Sequence, residues 1–131
     1  MRREILTLAA LGFCLIVLSG CWLVPMVLDE SSDGSVQTLS VGDTVIIALK
    51  GNASSGYQWI RETPDSINGD PLVTISEGEY EVDDPDVCGG PGTFRFSYQA
   101  STAGVITLAY EYRRPWEDDF IDTFSVVIWV Q

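Results

Sequence analysis

Thr93-Phe94-Arg95-Phe96-Ser97-Tyr98-Gln99-Ala100 decides the fold. On an extended chain, successive side chains point to opposite sides. Phe94, Phe96, Tyr98 and Ala100 therefore share one apolar face, and Arg95, Ser97 and Gln99 share the other. Strict alternation in an aromatic-rich run marks a strand with one side buried. The same period recurs on both sides of this stretch. Val45, Ile47 and Leu49 align upstream, and Ile106, Leu108, Tyr110 and Tyr112 align downstream. Phe124, Val126, Ile128 and Val130 repeat the pattern at the C-terminus.

Turn-forming runs separate these segments: Val41-Gly42-Asp43, Ser54-Ser55-Gly56, Asn68-Gly69-Asp70-Pro71, Gly89-Gly90-Pro91-Gly92 and Ala103-Gly104. Strands are predicted near residues 36–40, 43–50, 57–61, 72–81, 93–100, 104–113 and 122–130. Seven or eight short strands with no helical period imply an all-β, immunoglobulin-like β-sandwich. Trp59, with Tyr57 on its face, reads as a core residue between the sheets.

The N-terminus reads differently. Arg2 and Arg3 precede an apolar run from Ile5 to Leu18, followed by Leu18-Ser19-Gly20-Cys21. A basic head before an apolar centre is the pattern of a secretory signal. The last four residues resemble a bacterial lipobox, in which the cysteine is lipidated and becomes the new N-terminus. An uncleaved anchor is the alternative, since apolar residues continue from Trp22 to Leu28. The expected organisation is a signal over 1–20, a lipidated tether over 21–34 and one domain over 35–131. Asp29-Glu30-Ser31-Ser32-Asp33-Gly34-Ser35 is small and polar, so this part of the tether is expected to be flexible. Both readings place the domain at the cell envelope or surface, facing away from the cytoplasm.

Three cysteines are present. Cys14 leaves with the signal and Cys21 takes the lipid, so only Cys88 remains in the domain and no internal disulfide can form. Without Arg2, Arg3 and Glu4 the chain keeps five basic and eighteen acidic residues, a net charge of −13. Such a surface repels phosphates, so nucleic acid is not an expected partner. The sequence has no histidine, which excludes Ser-His-Asp and Cys-His nucleophiles and histidine-based metal centres. No glycine motif of the phosphate-binding kind is present. Asp83-Asp84-Pro85-Asp86 and Glu117-Asp118-Asp119 supply paired carboxylates, which on so acidic a chain read as solvated charge before glycosidase or calcium chemistry. Neither an enzyme activity, a metal nor a cofactor is expected.

Three loops then stand out: Gly51-Asn52-Ala53-Ser54-Ser55-Gly56-Tyr57-Gln58-Trp59, Cys88-Gly89-Gly90-Pro91-Gly92-Thr93 and Arg113-Arg114-Pro115-Trp116-Glu117. Each alone is an ordinary turn. In this order on an all-β chain they resemble the chagasin family of cysteine-protease inhibitors. That family carries an Asn-Pro-Thr-Thr-Gly loop, a glycine-rich loop and an Arg-Pro-Trp or Arg-Pro-Phe loop on an immunoglobulin-like sandwich. The resemblance runs from about Val36 to Gln131. It departs at Ala53, which stands where the family has proline, and at Ser54 and Ser55, which replace threonines.

The resemblance implies a reversible inhibitor of papain-like cysteine proteases, with the loops forming a wedge at one end of the sandwich. Asn52, Ala53, Ser54, Ser55 and Gly56 would enter the active-site cleft. Gly89, Gly90, Pro91 and Gly92 would grip it from one side, and Arg114, Pro115 and Trp116 from the other. The expected partners are the protease and, through Cys21, a membrane, and the domain is expected to be a monomer. A non-inhibitory adhesion or assembly module on the same sandwich is the competing reading, because fold does not fix function.

Overall fold

In the computed structural model, residues 24–62, 65–67 and 69–131 are described. The predicted signal, the lipobox and Cys21 lie outside these residues. Among the described residues there are nine strands: β1 (Met26–Leu28), β2 (Val36–Leu39), β3 (Thr44–Gly51), β4 (Gln58–Arg61), β5 (Asp65–Ile67), β6 (Leu72–Val82), β7 (Gly92–Ala100), β8 (Gly104–Arg113) and β9 (Phe120–Val130). One sheet has the order β1-β3-β7-β6, and the other β2-β9-β8-β4, with β5 also pairing β8. β1 and β2 run parallel to their neighbours, and the remaining pairs are antiparallel.

The alternating residues close the core as expected. Phe94, Phe96, Tyr98 and Ala100 of β7 are buried against Val45, Ile47 and Leu49 of β3 and against the inner faces of β8 and β9. Burying a side chain of this size contributes about 1.5–3 kcal/mol, so packing alone can hold a sandwich that lacks a disulfide. Two tyrosines of facing sheets satisfy each other: the Tyr98 and Tyr110 hydroxyls lie 2.6 Å apart in the core. Trp59 is buried and donates its indole N–H to the Lys50 carbonyl at 2.9 Å, which fits its predicted core role.

The tether expectation needs correction. Residues 24–34 are part of the sandwich, not a free linker. Leu28 is buried in the core and Met26 packs on it, so three residues of the apolar stretch form the edge strand β1. The polar residues that follow act as caps. The Asp29 carboxylate accepts the Ser31 N–H at 2.9 Å and starts a 3-10 turn over Glu30–Ser32. The Glu30 carboxylate accepts the Lys50 N–H of β3. Asp33 accepts the Ser125 N–H of β9 at 2.8 Å, and the Gly34 N–H donates to the Ser125 carbonyl at 2.8 Å. This segment carries the chain from one sheet to the other. Small polar composition is shared by linkers and by tight crossovers, and the backbone partners decide between them.

β5 was also unexpected, and β9 begins two residues early. Phe120 pairs Arg113 after a register shift beside Tyr112, which extends the ladder to the loop.

Candidate functional site

The strand register places the three candidate loops at one end. Gly51 at the end of β3 pairs with Gly92 at the start of β7, and Gly92 also pairs with Val82 at the end of β6. In the other sheet, Arg113 at the end of β8 pairs with Gln58 at the start of β4 and Phe120 at the start of β9. The β3–β4, β6–β7 and β8–β9 loops thus leave the sandwich side by side.

The β3–β4 loop is a closed 3-10 turn over Ala53–Ser55. Asn52 caps it: its side-chain oxygen accepts the Ser54 N–H at 3.0 Å and the Ser54 hydroxyl at 2.5 Å. The Ser55 hydroxyl donates to the Asn52 carbonyl at 2.6 Å. Gly56 ends the turn at φ 86°, a left-handed conformation that glycine adopts without strain.

Asn52 also laces this loop to the next. Its side-chain amide donates to the Gly89 carbonyl at 3.0 Å, and the Ser54 hydroxyl lies 3.2 Å from the same carbonyl. At the base of the β6–β7 loop, the Lys50 ammonium contacts the Asp83 carboxylate at 3.1 Å and donates to Thr93 Oγ1 at 3.0 Å. The Tyr80 hydroxyl donates to the Gly90 carbonyl at 3.3 Å.

The β8–β9 loop is braced by both arginines. The Arg113 guanidinium donates to the Glu117 carbonyl at 2.9 Å, and its Nε lies 3.3 Å from the Glu111 carboxylate. Arg114 sits over the Tyr57 ring, 4.5 Å from its centroid, and its Nε donates to the Ser55 carbonyl at 3.4 Å. Such a cation–π contact contributes about 0.5–1 kcal/mol at an exposed site. Beneath Tyr57, Tyr112 follows at 5.4 Å and Trp59 stacks on Tyr112 at 5.0 Å. Arg114 therefore caps an aromatic column that runs down into the core. The Tyr112 hydroxyl accepts the Asn52 N–H at 2.9 Å, joining the column to the first loop.

Trp116 lies beside Gly56, with Cη2 3.0 Å from where a β-carbon on that glycine would stand. Yet 71% of its surface faces solvent. The glycine admits the indole, and nothing covers the outer face of the ring within the described residues.

Most predicted site residues therefore converge: Asn52, Ser54, Ser55, Gly56, Gly89, Gly90, Pro91, Arg114, Pro115 and Trp116 all belong to the loop end. Two take a different place. Gly92 is buried in the first pair of β7, and a β-carbon there would come within 2.5 Å of the Tyr80 ring and the Glu81 carbonyl. It is a packing residue, not a contact surface. Ala53 is half-buried and packs on the core, under the turn. The Ser54 and Ser55 hydroxyls are spent on the loops themselves. Tyr57 and Tyr112 were missed as functional supports, since alternation marks them only as strand residues. Among the described residues, no three acidic or cysteine side chains converge as metal ligands. Cys88 is exposed and unpaired.

The family model for Chagasin family peptidase inhibitor I42 matches residues 38–128. Amoebiasin-1 of Entamoeba histolytica is 28% identical over 109 residues, covering 81% of this chain and all of that protein. Chagasin of Trypanosoma cruzi is 28% identical over 104 residues, covering 78% of this chain and 93% of that protein. The solution structure of Amebosin superposes with a TM-score of 0.66 at 26% identity, covering 82% of this chain and 99% of that one. The loop end is thus built on the sandwich of a known inhibitor group, and the chain belongs to the chagasin family of cysteine-protease inhibitors.

Proposed function

We propose that the loop end enters the active-site cleft of a papain-like cysteine protease and blocks it reversibly, so that the chain acts as an inhibitor and not as an enzyme. Trp116 carries this reading. A large indole held by Gly56 and left 71% exposed on a braced loop has the profile of an interface anchor. The surrounding hydrogen bonds fix the loops before binding, which lowers the ordering cost that association otherwise incurs.

The same bracing explains why the inhibitor would survive in the cleft. A protease cuts a peptide held extended. The Ala53–Ser55 turn is closed by its own bonds, from Ser55 N–H to Asn52 carbonyl at 3.2 Å and from Gly56 N–H to Ala53 carbonyl at 3.1 Å. Unwinding it would also break the Asn52 bridge to Gly89. The wedge fills the cleft in a shape that resists cleavage. No covalent step is involved, and Cys88 has no part in it.

The test is a titration of papain with residues 22–131, a form that retains β1. Stoichiometric, reversible loss of activity with an uncut inhibitor is expected. Full protease activity at saturating concentrations of folded protein refutes the reading.

Membrane attachment through Cys21 is part of the same proposal. Arg2-Arg3, the apolar run and Leu18-Ser19-Gly20-Cys21 support it. Stable anchoring takes more than one acyl chain, as a lipidated N-terminal cysteine of this kind would carry. Mass spectrometry of the mature N-terminus should find acyl chains on Cys21, and Cys21→Ala should abolish them.

A further inference from the structure

We propose that the domain stands on the bilayer with its loop end outermost, and that the opposite end meets the membrane. The inference rests on lipidation of Cys21. β1 runs parallel to β3, with Met26 level with Val45 near the start of β3. The chain therefore enters the sandwich at the end farthest from the loops. That end is a tied cap: the Val41 N–H donates to the Gln131 carbonyl at 3.1 Å, and the Gly42 N–H donates to the Ala100 carbonyl at 2.7 Å.

Reach then limits orientation. Three residue steps separate Cys21 from Val24, and such a segment spans at most about 11 Å. The nine residues of β7 connect the two ends of the sandwich and rise about 27 Å in an extended strand. An attachment this short, joined to the lower edge, cannot let the loop end swing down to the lipid without laying the whole sandwich flat.

The chemistry of the two ends favours the upright state. The lower end exposes Val24 and Val41, and Trp129 stands half-exposed on the adjoining sheet face, paired with Thr38 and Val105. Its turns carry Asp43 and Asp70, and both carboxylates accept backbone N–H groups, from Ser40 at 2.8 Å and Leu72 at 3.0 Å. An apolar rim with an indole suits the bilayer interface. The loop end instead carries Asp83, Asp84, Asp86, Glu117, Asp118 and Asp119 against Lys50, Arg113 and Arg114, and stays net negative. An anionic bilayer repels that end over roughly a Debye length.

The partner follows from the geometry. A wedge held this far above the lipid fits a water-soluble protease that arrives from bulk solution with its cleft facing the membrane.

Energy transfer from the protein to the lipid surface tests the orientation. The lipidated chain from Cys21 onward is placed in vesicles of phosphatidylcholine and phosphatidylglycerol with acceptor dye on the headgroups. A short-range donor is attached either to Cys88 at the loop end, or to Val41→Cys in a Cys88→Ser background. Gln131→Cys replaces Val41→Cys if that variant fails to fold. Near-complete transfer from position 41 or 131, and loss of transfer from Cys88, is expected. Equal transfer from both ends means a domain lying flat and overturns the orientation alone, as does stronger transfer from Cys88. A chain recovered without acyl groups refutes the Cys21 reading and the orientation with it.

Discussion

Ala53→Pro is the sharpest test of how the first loop is built. Ala53 is the first residue of the 3-10 turn, the position where proline is favoured because its fixed φ suits the turn. The residue before a proline must be extended, and Asn52 already is, at φ −138° and ψ 101°. The bonds that close the turn use the N–H groups of Ser54, Ser55 and Gly56, so none is lost when the Ala53 N–H is removed. A proline that fits without strain stabilises by about 0.4–1 kcal/mol by restricting the open states of the chain. If those open states also limit binding, inhibition tightens about two- to fivefold. Inhibition constants and melting temperatures of both proteins against papain measure the effect. A lower melting temperature would show that the turn is not shaped for proline. A higher one with weaker inhibition would show that the loop must open to bind.

Other variants separate the wedge from its support. Trp116→Ala should leave the melting temperature unchanged while weakening inhibition by about 2–4 kcal/mol, the range of an aromatic hot spot. Trp59→Ala should do the reverse and lose roughly 3–5 kcal/mol of stability, because it empties the base of the aromatic column and orphans the Lys50 carbonyl. Cys88→Ser should keep full inhibition and a monomeric elution volume, and lost inhibition would reveal a thiol-dependent mode. Stability should fall in alkali. Burial raises the Tyr98 and Tyr110 hydroxyls above the ordinary tyrosine range, with their mutual bond partly opposing the shift at Tyr98 and adding to it at Tyr110. Folded tyrosines thus hold protons that the unfolded chain releases. Their contribution is complete below pH of about 10 and declines as pH rises beyond it. Denaturant melts from pH 8 to 11 check this, and the Tyr98→Phe, Tyr110→Phe double variant should flatten the alkaline slope.

The fold was legible because its core positions sit on a strict period of two. Phe94 to Ala100 alternate without exception, and each inward residue of that stretch is buried, while Tyr112 at the loop end of β8 is only partly so. What escaped notice has no such period. Met26–Leu28 is three residues long, too short to alternate, and it lies in apolar sequence that also suits a leader or an anchor. Asp29 to Ser35 read as a linker because polar side chains that cap backbone N–H groups have the same composition as polar side chains in water. The loops were legible as a set of motifs, but their internal roles were not. Gly92 looks like its loop neighbours in sequence, and only the register against Gly51 and Val82 places it inside the sheet. Ser54 and Ser55 offer hydroxyls to any acceptor, and proximity gives the nearer one, within the loop, the advantage.

The bracing bears on the loss of the family's loop proline. Where the family has proline, this chain has Ala53, and a freer backbone would ordinarily mean a greater entropy loss on binding. The structure supplies stiffness by other means. Asn52 closes the turn through its side-chain oxygen and ties it to Gly89 through its amide, while its N–H is anchored on the buried-side tyrosine Tyr112. On the far side, Arg114 clasps the Ser55 carbonyl from above the Tyr57 ring. Each such hydrogen bond contributes about 0.5–1.5 kcal/mol, comparable to what a proline supplies. Stiffness is then a property of three loops joined together, and not of one residue. The consequence is coupling: the proline gain at position 53 should be larger in an Asn52→Ala background than in the native chain. A gain of equal size in both backgrounds would mean that Asn52 and residue 53 restrain the loop independently.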